Sequence, residues 1–490
     1  MSQKQTEFDV ENGDTFIPED FTEESFEVGE VENVEFDELD REAVKTDSVI
    51  AARAKFEDDA INLNLEYAEQ LPKDLPIGLK QTLQNVPDRM KLPVICGILP
   101  LAAAYATNVK ARYSDGKLQR LNMMSIIYGR QASGKSAVAE AVNLWVAPMK
   151  WQDEVGREEE ESFRRRRKSR KANEKLPDEP KPIIREVPIT ISCSTLLKRF
   201  KNSQGQHLYS FGEELGTLQK TNGAGSWSSK YDIYRLSFDN GCWGQDYNSD
   251  QAESGVVNVA YNWSVLGTLG AVTRCFKADS IENGMCGRVL FAQMPSEFFA
   301  HMPVFKTTKP VDGDKVVQAI EMLKAREGEL ELPLLANLMR EWVDKKADEA
   351  RAKNDIALDT LRKRAAVIGF RAGVVYYLLQ GKEKETASCL NFAELIANYC
   401  LANQISIFGT QLAEVIKGSV TESAPESKIG AWLKTLKELP DAFTIDDILA
   451  VSPGITRRGA SNNAARAIKK GWLKKLNSKT YGKTEEGKKI

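Results

Sequence analysis

Gly129, Arg130, Gln131, Ala132, Ser133, Gly134, Lys135 and Ser136 run consecutively and carry the most specific chemistry in the chain. Two glycines separated by four residues, followed at once by a lysine and a hydroxyl, follow the spacing of a phosphate-binding loop. The glycines let the backbone turn its N–H groups inward as a nest for an anion. Lys135 can reach the β- and γ-phosphates of a nucleotide, and the Ser136 hydroxyl can ligate Mg²⁺. Such a loop needs a strand before it and a helix after it. Met123–Tyr128 is a short apolar run that predicts a buried strand, and Ala137–Val142 predicts the start of a helix. The helix N-terminus adds partial positive charge. The expected ligands are ATP and Mg²⁺, with all eight loop residues around the nucleotide.

A loop of this kind binds but does not hydrolyse. Hydrolysis needs an acid beyond a second strand, and His207–Gly212 followed by Glu213 and Glu214 supplies one. The run is apolar with one serine, and its carboxylates fall where parallel α/β sheets place their ligands. Glu213 is expected in the Mg²⁺ shell and Glu214 as the group that activates the attacking water. A third strand, ending Val265-Leu266-Gly267-Thr268, offers Thr268 as a contact to the γ-phosphate, with Asn262 as its rival. Arg288 stands at the start of another apolar run, and such an arginine can stabilise phosphoryl charge, often in a neighbouring subunit. Its alternative is a structural salt bridge, and Arg274 and Arg371 are further candidates.

Several classes of function are disfavoured by composition. The chain has 490 residues, with 42% hydrophobic and 28% charged residues, as ordinary globular proteins do. Seven cysteines without a C-x-x-C spacing and only two histidines argue against zinc and for reduced thiols in a cytoplasm. No basic segment followed by an apolar one opens the chain, so no secretory signal is expected. The longest apolar run, Leu92–Ala106, is too short for a bilayer and predicts a buried helix.

The net charge of −3 conceals an asymmetry: residues 1–50 hold 17 acids and 3 bases, and residues 452–490 hold 11 bases and 2 acids. The first 50 residues read as a disordered acidic tail, either a solvated leader or a docking segment for a partner. Residues 51–118 predict a helical region packed beside the sheet. Residues 119–310 predict the nucleotide-binding core, with a charged insertion at 150–185 that is either solvated or in contact with a nucleic-acid backbone. Strands are expected at Ile189–Cys193, Leu208–Phe211, Val256–Leu266 and Arg288–Gln293. The Gly/Ser-rich segment Gly223–Tyr231 reads either as a mobile loop or as one that stacks bases. Residues 311–420 predict long amphipathic helices.

Residues 421–490 predict a winged-helix unit. Ser427–Leu439 and a helix capped by Thr444 lead to a recognition helix, Arg457–Lys470, and then to a two-stranded wing. Arg457, Arg458, Arg466, Lys469, Lys470 and Lys474 are the expected nucleic-acid contacts.

The order of these motifs, G-R-Q-A-S-G-K-S, then S-F-G-E-E-L-G-T-L, S-V-L-G-T and M-C-G-R-V-L-F, resembles the uncharacterised P-loop ATPase family of phages, plasmids and mobile elements, often classed as primase-associated or replicative helicases. The resemblance covers roughly residues 60–400. It implies an α/β fold with a RecA-like core, ring assembly as a homo-oligomer with a hexamer favoured, and a role in DNA replication. Glu213 stands where that pattern usually has an aspartate, and primase signatures are absent. The expectation is an ATP-dependent helicase or translocase acting on single-stranded or forked DNA, with a primase or other replication partner on the acidic tail. The alternative is an ATP-switched DNA-binding initiator or regulator that does not unwind.

Overall fold

The computed structural model describes residue 55 and residues 58–488, apart from 172, 176, 221–226, 247–252, 278–280, 282, 298, 300–308, 422–427 and 453–454. The chain divides after Phe56. The expected acidic tail and the first part of the Gly/Ser-rich segment therefore lie outside the described residues.

Helix Asp88–Tyr105 (α1) is followed by a hairpin, Val109–Arg112 (β1) and Leu118–Arg120 (β2), and by the strand Met124–Tyr128 (β3). Helix Ser136–Ser169 (α2) leads on to helix Cys193–Asn202 (α3) and strand Leu208–Gly212 (β4). Helix Trp227–Phe238 (α4) precedes a second hairpin, Cys242–Gln245 (β5) with Gly255–Asn258 (β6). Strand Tyr261–Gly267 (β7), helix Leu269–Cys275 (α5) and strand Leu290–Gln293 (β8) come next. Then follow helix Gly313–Ala325 (α6), strand Gly328–Leu330 (β9) and helices Pro333–Lys353 (α7), Ile356–Gln380 (α8) and Ala387–Thr421 (α9). The last elements are Lys428–Glu438 (α10), Ala442–Thr444 (β10), Ile445–Val451 (α11), Arg457–Lys469 (α12), Leu473–Lys475 (β11) and Thr480–Lys483 (β12).

The fold is mixed α/β around a parallel sheet of order β4-β7-β3-β8. β3 and β7 are buried at every position, so they read as continuous apolar runs rather than alternating ones. One face is covered by α1, the apolar helix expected at Leu92–Ala106, which is buried from Leu92 to Tyr105. Its internal prolines, Pro93 and Pro100, remove donors from the helical ladder. Two buried polar side chains of β7 bond carbonyls near those breaks: Ser264 Oγ donates to Gly97 O at 2.6 Å and Asn262 Nδ2 to Pro100 O at 2.9 Å. At Gly97 any Cβ would come within 2.4 Å of Val138 Cγ1, so α1 and α2 approach as closely as a glycine allows.

The charged stretch after the loop is helix, as the sequence suggests: α2 continues to Ser169. Its far half is anchored by a buried bidentate pair, Arg199 Nη1 and Nη2 of α3 to Glu160 Oε1 and Oε2 at 2.7 and 2.8 Å. The helices of 311–420 share their core with the sheet. Phe408 of α9 packs on Phe276 and Phe291, and Gln404 Nε2 donates to Val289 O at 2.9 Å. Arg371 of α8 is fully buried and donates to Asn122 O and Phe238 O at 2.5 and 2.6 Å, while its guanidinium lies 4.4 Å from the Phe238 ring centre.

Three strand expectations need correction or refinement. Ile189–Cys193 is not a strand: Pro188 precedes a turn there, and Ser192 Oγ accepts from Thr195 N to start α3. The neighbour of β4 on that side is Arg185–Val187, joined through Tyr209 N to Arg185 O at 2.8 Å and Val187 N to Tyr209 O at 2.9 Å. Val256–Leu266 splits into β6, paired antiparallel with β5, and β7 in the main sheet. Arg288 closes a 3₁₀ turn rather than opening the strand. β1 and β9, which form a sheet of their own with β2, lie in regions expected to be helical. The second part of the Gly/Ser-rich segment is the start of α4. Trp227 there is buried against Trp263 and Phe276, and Lys230 is buried with Nζ donating to Ile189 O at 2.5 Å, so neither is free to stack a base.

The last unit forms helices α10, α11 and α12 with a three-stranded antiparallel sheet of order β10-β12-β11. It has a core of its own around Trp432, Leu436, Phe443, Ile448 and Ala464. The expected cap is present: Thr444 Oγ1 accepts from Asp447 N, and Asp447 answers with a bond from Thr444 N. None of the seven cysteines forms a disulfide. Among the described residues, no helix is long and apolar enough to cross a membrane.

His207, at the entry to β4, is wholly buried, and that burial, with repulsion from Arg185, lowers its pKa to about 3. Above pH 6.5 the ring is neutral folded and unfolded. As pH falls through 6.5 the unfolded chain takes up a proton that the folded chain refuses until about pH 3, so stability is lost across that window. Chemical unfolding at pH 7 and pH 5 should show about 2 kcal/mol of acid sensitivity in the native chain that His207→Leu lacks.

Candidate nucleotide-binding site

The parallel sheet fixes where the loop begins. β3 ends at Tyr128, and Gly129 N donates to Gly267 O at 3.1 Å, so the loop leaves level with the end of β7. On its other side Met294 N donates to Tyr128 O at 2.7 Å, just past the end of β8. Gly129 is needed for close approach: a Cβ there would lie 2.8 Å from Met294 Cβ and 2.6 Å from Ser133 Oγ. Ala132 and Gly134 both have positive φ, 59° and 78°. That left-handed geometry at alternate positions turns successive N–H groups to one side. For Ala132 it costs about 1–2 kcal/mol, and Gly134 adopts it without that penalty. α2 starts directly at Ser136, and its first turn is tied to the end of the loop: Ala137 N donates to Gly134 O and Val138 N to Lys135 O, both at 3.1 Å.

Lys135 curls over this cup. Its Nζ donates to Gly129 O at 3.1 Å and Arg130 O at 2.5 Å. Burial lowers its pKa, and the Glu214 carboxylate acts against that, so the lysine and the second acid share one electrostatic environment. Register explains why. Gly212 of β4 is paired with Val265 of β7, and Gly267 of β7 is paired with Tyr128 of β3. Glu213 and Glu214 therefore emerge beside Leu266 and Gly267, on the edge where the loop lies, and both are exposed. Glu214 folds back over Gly216. Thr268 follows Gly267 on the same edge, and its Oγ1 caps α5 by accepting from Ala271 N at 3.3 Å.

Other expected residues are elsewhere. Asn262 sits at the opposite end of β7 with its Nδ2 spent on Pro100 O and Leu121 O, which removes it as the rival to Thr268. Arg288 lies before β8, at the sheet edge away from the loop. It is buried and bonded to Asp239 (Nη2 to Oδ2, 2.6 Å) and to Gly284 O. That geometry matches the salt-bridge alternative and keeps the side chain from reaching a neighbouring molecule. Arg371 is likewise committed to backbone carbonyls. Of the three arginines, Arg274 alone is on an element that starts at the loop edge, and its Nη1 folds back toward Gly270 in the first turn of α5.

Two wall residues had no signal in the sequence. Met90, in the first turn of α1, has its methyl 2.5 Å from where a Cβ on Gly134 would be, and Met294 backs Gly129. The segment after β8 continues along the loop: Arg130 Nη1 reaches Ser296 Oγ at 3.4 Å, and Arg89 pairs with Glu297. Gln131, Ala132 and Ser136 are exposed and Ser133 is buried. Among the described residues there is no group of three or more His, Cys, Asp or Glu side chains suited to a metal.

In the last unit, α12 buries Ala460, Ala464 and Ala467. Arg458, Arg466 and Lys469 recur at helical spacing on the opposite, exposed face. Arg457 is paired with Asp446, and Lys470 lies over the Trp472 ring at 4.7 Å. Lys474 is exposed on β11. The six expected cations thus divide into a stripe of three, two with partners inside the unit, and one on the hairpin.

No family model matches the chain, and no curated protein matches it.

Gly129→Ala should cost about 1–3 kcal/mol of stability, because the new methyl overlaps Met294 Cβ on one side and Ser133 on the other. Denaturant unfolding measures this, and an unchanged midpoint would mean the loop is not packed on Met294.

Proposed function

We propose that the chain is an ATP-hydrolysing P-loop enzyme with a RecA-like core that works on DNA, as a helicase or translocase in a homo-oligomeric ring. One observation carries the hydrolytic part. The loop of Gly129–Ser136, Glu214 and Thr268 lie on one edge of one parallel sheet, with Glu214 two strands from the loop. Strands are spaced about 4.8 Å apart, which leaves about 10 Å between loop and acid. That gap accommodates a γ-phosphate and a water, with the carboxylate on the far side.

On this reading the loop N–H groups and the α2 N-terminus hold the phosphates. Lys135, already desolvated, moves its ammonium from the loop carbonyls to phosphate oxygens. Ser136 and, through water, Glu213 would hold Mg²⁺, an ion that keeps few protein ligands. Glu214 takes the proton of the attacking water. By position, Arg274 on α5, which starts at the loop edge, is a better candidate than Arg288 for a residue offered to a neighbour's nucleotide. The helix, strand and hairpin order of the last unit supports a winged helix, with Arg458, Arg466 and Lys469 on phosphates.

The basic stripe on α12 equally suits a second reading, an ATP-switched DNA-binding initiator that does not unwind. Stimulation of ATP hydrolysis by single-stranded DNA separates the two: strong for a motor, slight for a switch. Lys135→Ala should abolish hydrolysis, and Glu214→Gln should lower kcat by about 10²–10⁴ with ATP binding retained. A Glu214→Gln enzyme with native kcat would remove the carboxylate from the mechanism.

A further inference from the structure

A second cleft lies at the other edge of the sheet. It has a volume of about 620 Å³, within the range of small-ligand sites. The turn between β1 and β2, the end of α4, and helices α7 and α8 enclose it. Its charge is unbalanced. Lys117, Arg340, Lys363, Arg364 and Arg371 line it, facing Asp115, Asp344 and Asp239, and Asp239 is already bonded to Arg288. Arg340, Lys363 and Arg364 make no ion pair among the described residues.

Arg364 of the cleft is crowded against Arg288, which lies outside the lining and is paired with Asp239. Arg364 Nη1 and Arg288 Nη1 lie 2.8 and 3.2 Å from where a Cβ on Gly284 would sit, and Gly284 has φ +73°. Burial lowers the pKa of Arg364, repulsion from Arg288 lowers it further, and Arg235 adds to that against the attraction of Asp239. Deeper in, Arg371 is wholly buried, and its Nε has no hydrogen-bond partner. A half-buried cluster of like charges is costly unless an anion neutralises it. Tyr113, partly exposed, lines the same cleft and adds aromatic surface to the cations, whereas the buried Phe238 ring is covered by Arg371.

We infer that this cleft binds a phosphorylated nucleoside, with Arg364, Lys363 and Arg340 on the phosphate and Tyr113 beside the base. The occupant is a free nucleotide or one unit of a single strand. The volume is too small for a duplex. The inference stands apart from the reading of the phosphate loop, because no residue of Gly129–Ser136 takes part.

The test uses the full chain carrying Lys135→Ala, Arg458→Ala, Arg466→Ala and Lys469→Ala, so that neither the loop nor the last unit dominates. Binding of a fluorescent 12-nucleotide single strand and of AMP is measured with and without Arg340→Ala/Lys363→Ala, both exposed positions, and separately with Arg364→Gln. Strand affinity is expected to fall about tenfold in the double variant, with the salt dependence shallower by about one to two charges. Loss for the strand alone assigns one unit of a polynucleotide, and loss for AMP as well assigns a free nucleotide. Unchanged affinity for both probes in the double variant overturns the inference, whether or not Arg364→Gln folds.

Discussion

Burial of β3 and β7 on both faces is the constraint from which the rest follows. A strand with no solvent face cannot carry chemistry along its length, so reactive groups must gather at its ends. The same burial demands a wholly apolar helix on one side, which α1 supplies. Some of the few polar atoms it admits inside find bonds, Ser264, Asn262 and Ser210 to Gly97 O, Pro100 O and Val187 O, whereas Ser125 Oγ of β3 and Trp263 Nε1 of β7 have none among the described residues. The C-terminal ends of the strands carry the loop, Glu214 and Thr268. Their N-terminal ends carry Arg288, Arg371 and the cationic cleft.

The two edges handle charge differently. At the loop edge one ammonium is held by backbone carbonyls, an arrangement that a stronger acceptor can displace. At the other edge Arg371 has no such freedom. It is bonded to Asn122 O, Gln119 Oε1 and Phe238 O, and burial lowers its pKa to about 9. Hydrogen bonds to a charged donor contribute roughly 1.5–3 kcal/mol each. Arg371 therefore ties the helical half of the protein to the start of β3, and its role is positional.

What the sequence made legible was what is local. The loop is eight adjacent residues, its strand and helix adjoin it, and the cap at Thr444 spans four residues. Long-range features were not legible. β1 and β9 have four and three residues and pair across more than two hundred positions, Val109 with Gly328, so no periodicity announces them. An arginine at the head of an apolar run reads as exposed until Asp239 is found beside it. Trp227 in a Gly/Ser-rich context reads as a surface aromatic until Trp263 and Phe276 enclose it. Met90 and Met294 wall the loop through packing alone, which no spacing encodes.

α2 begins at the end of the Gly129–Ser136 loop and runs for 34 residues, about 50 Å at 1.5 Å per residue. A free rod of that length would swing: a tilt of about 5° at its base moves the far end by about 4 Å. This one is clamped near its far end by the buried Glu160–Arg199 pair to α3, and α3 leads directly into β4, the strand that ends at the acid pair. Loop and acids are therefore connected twice, once across the sheet and once around the outside through α2 and α3. The two routes close a truss, and stiffness in the rod becomes stiffness in the gap where a phosphate and a water would have to fit.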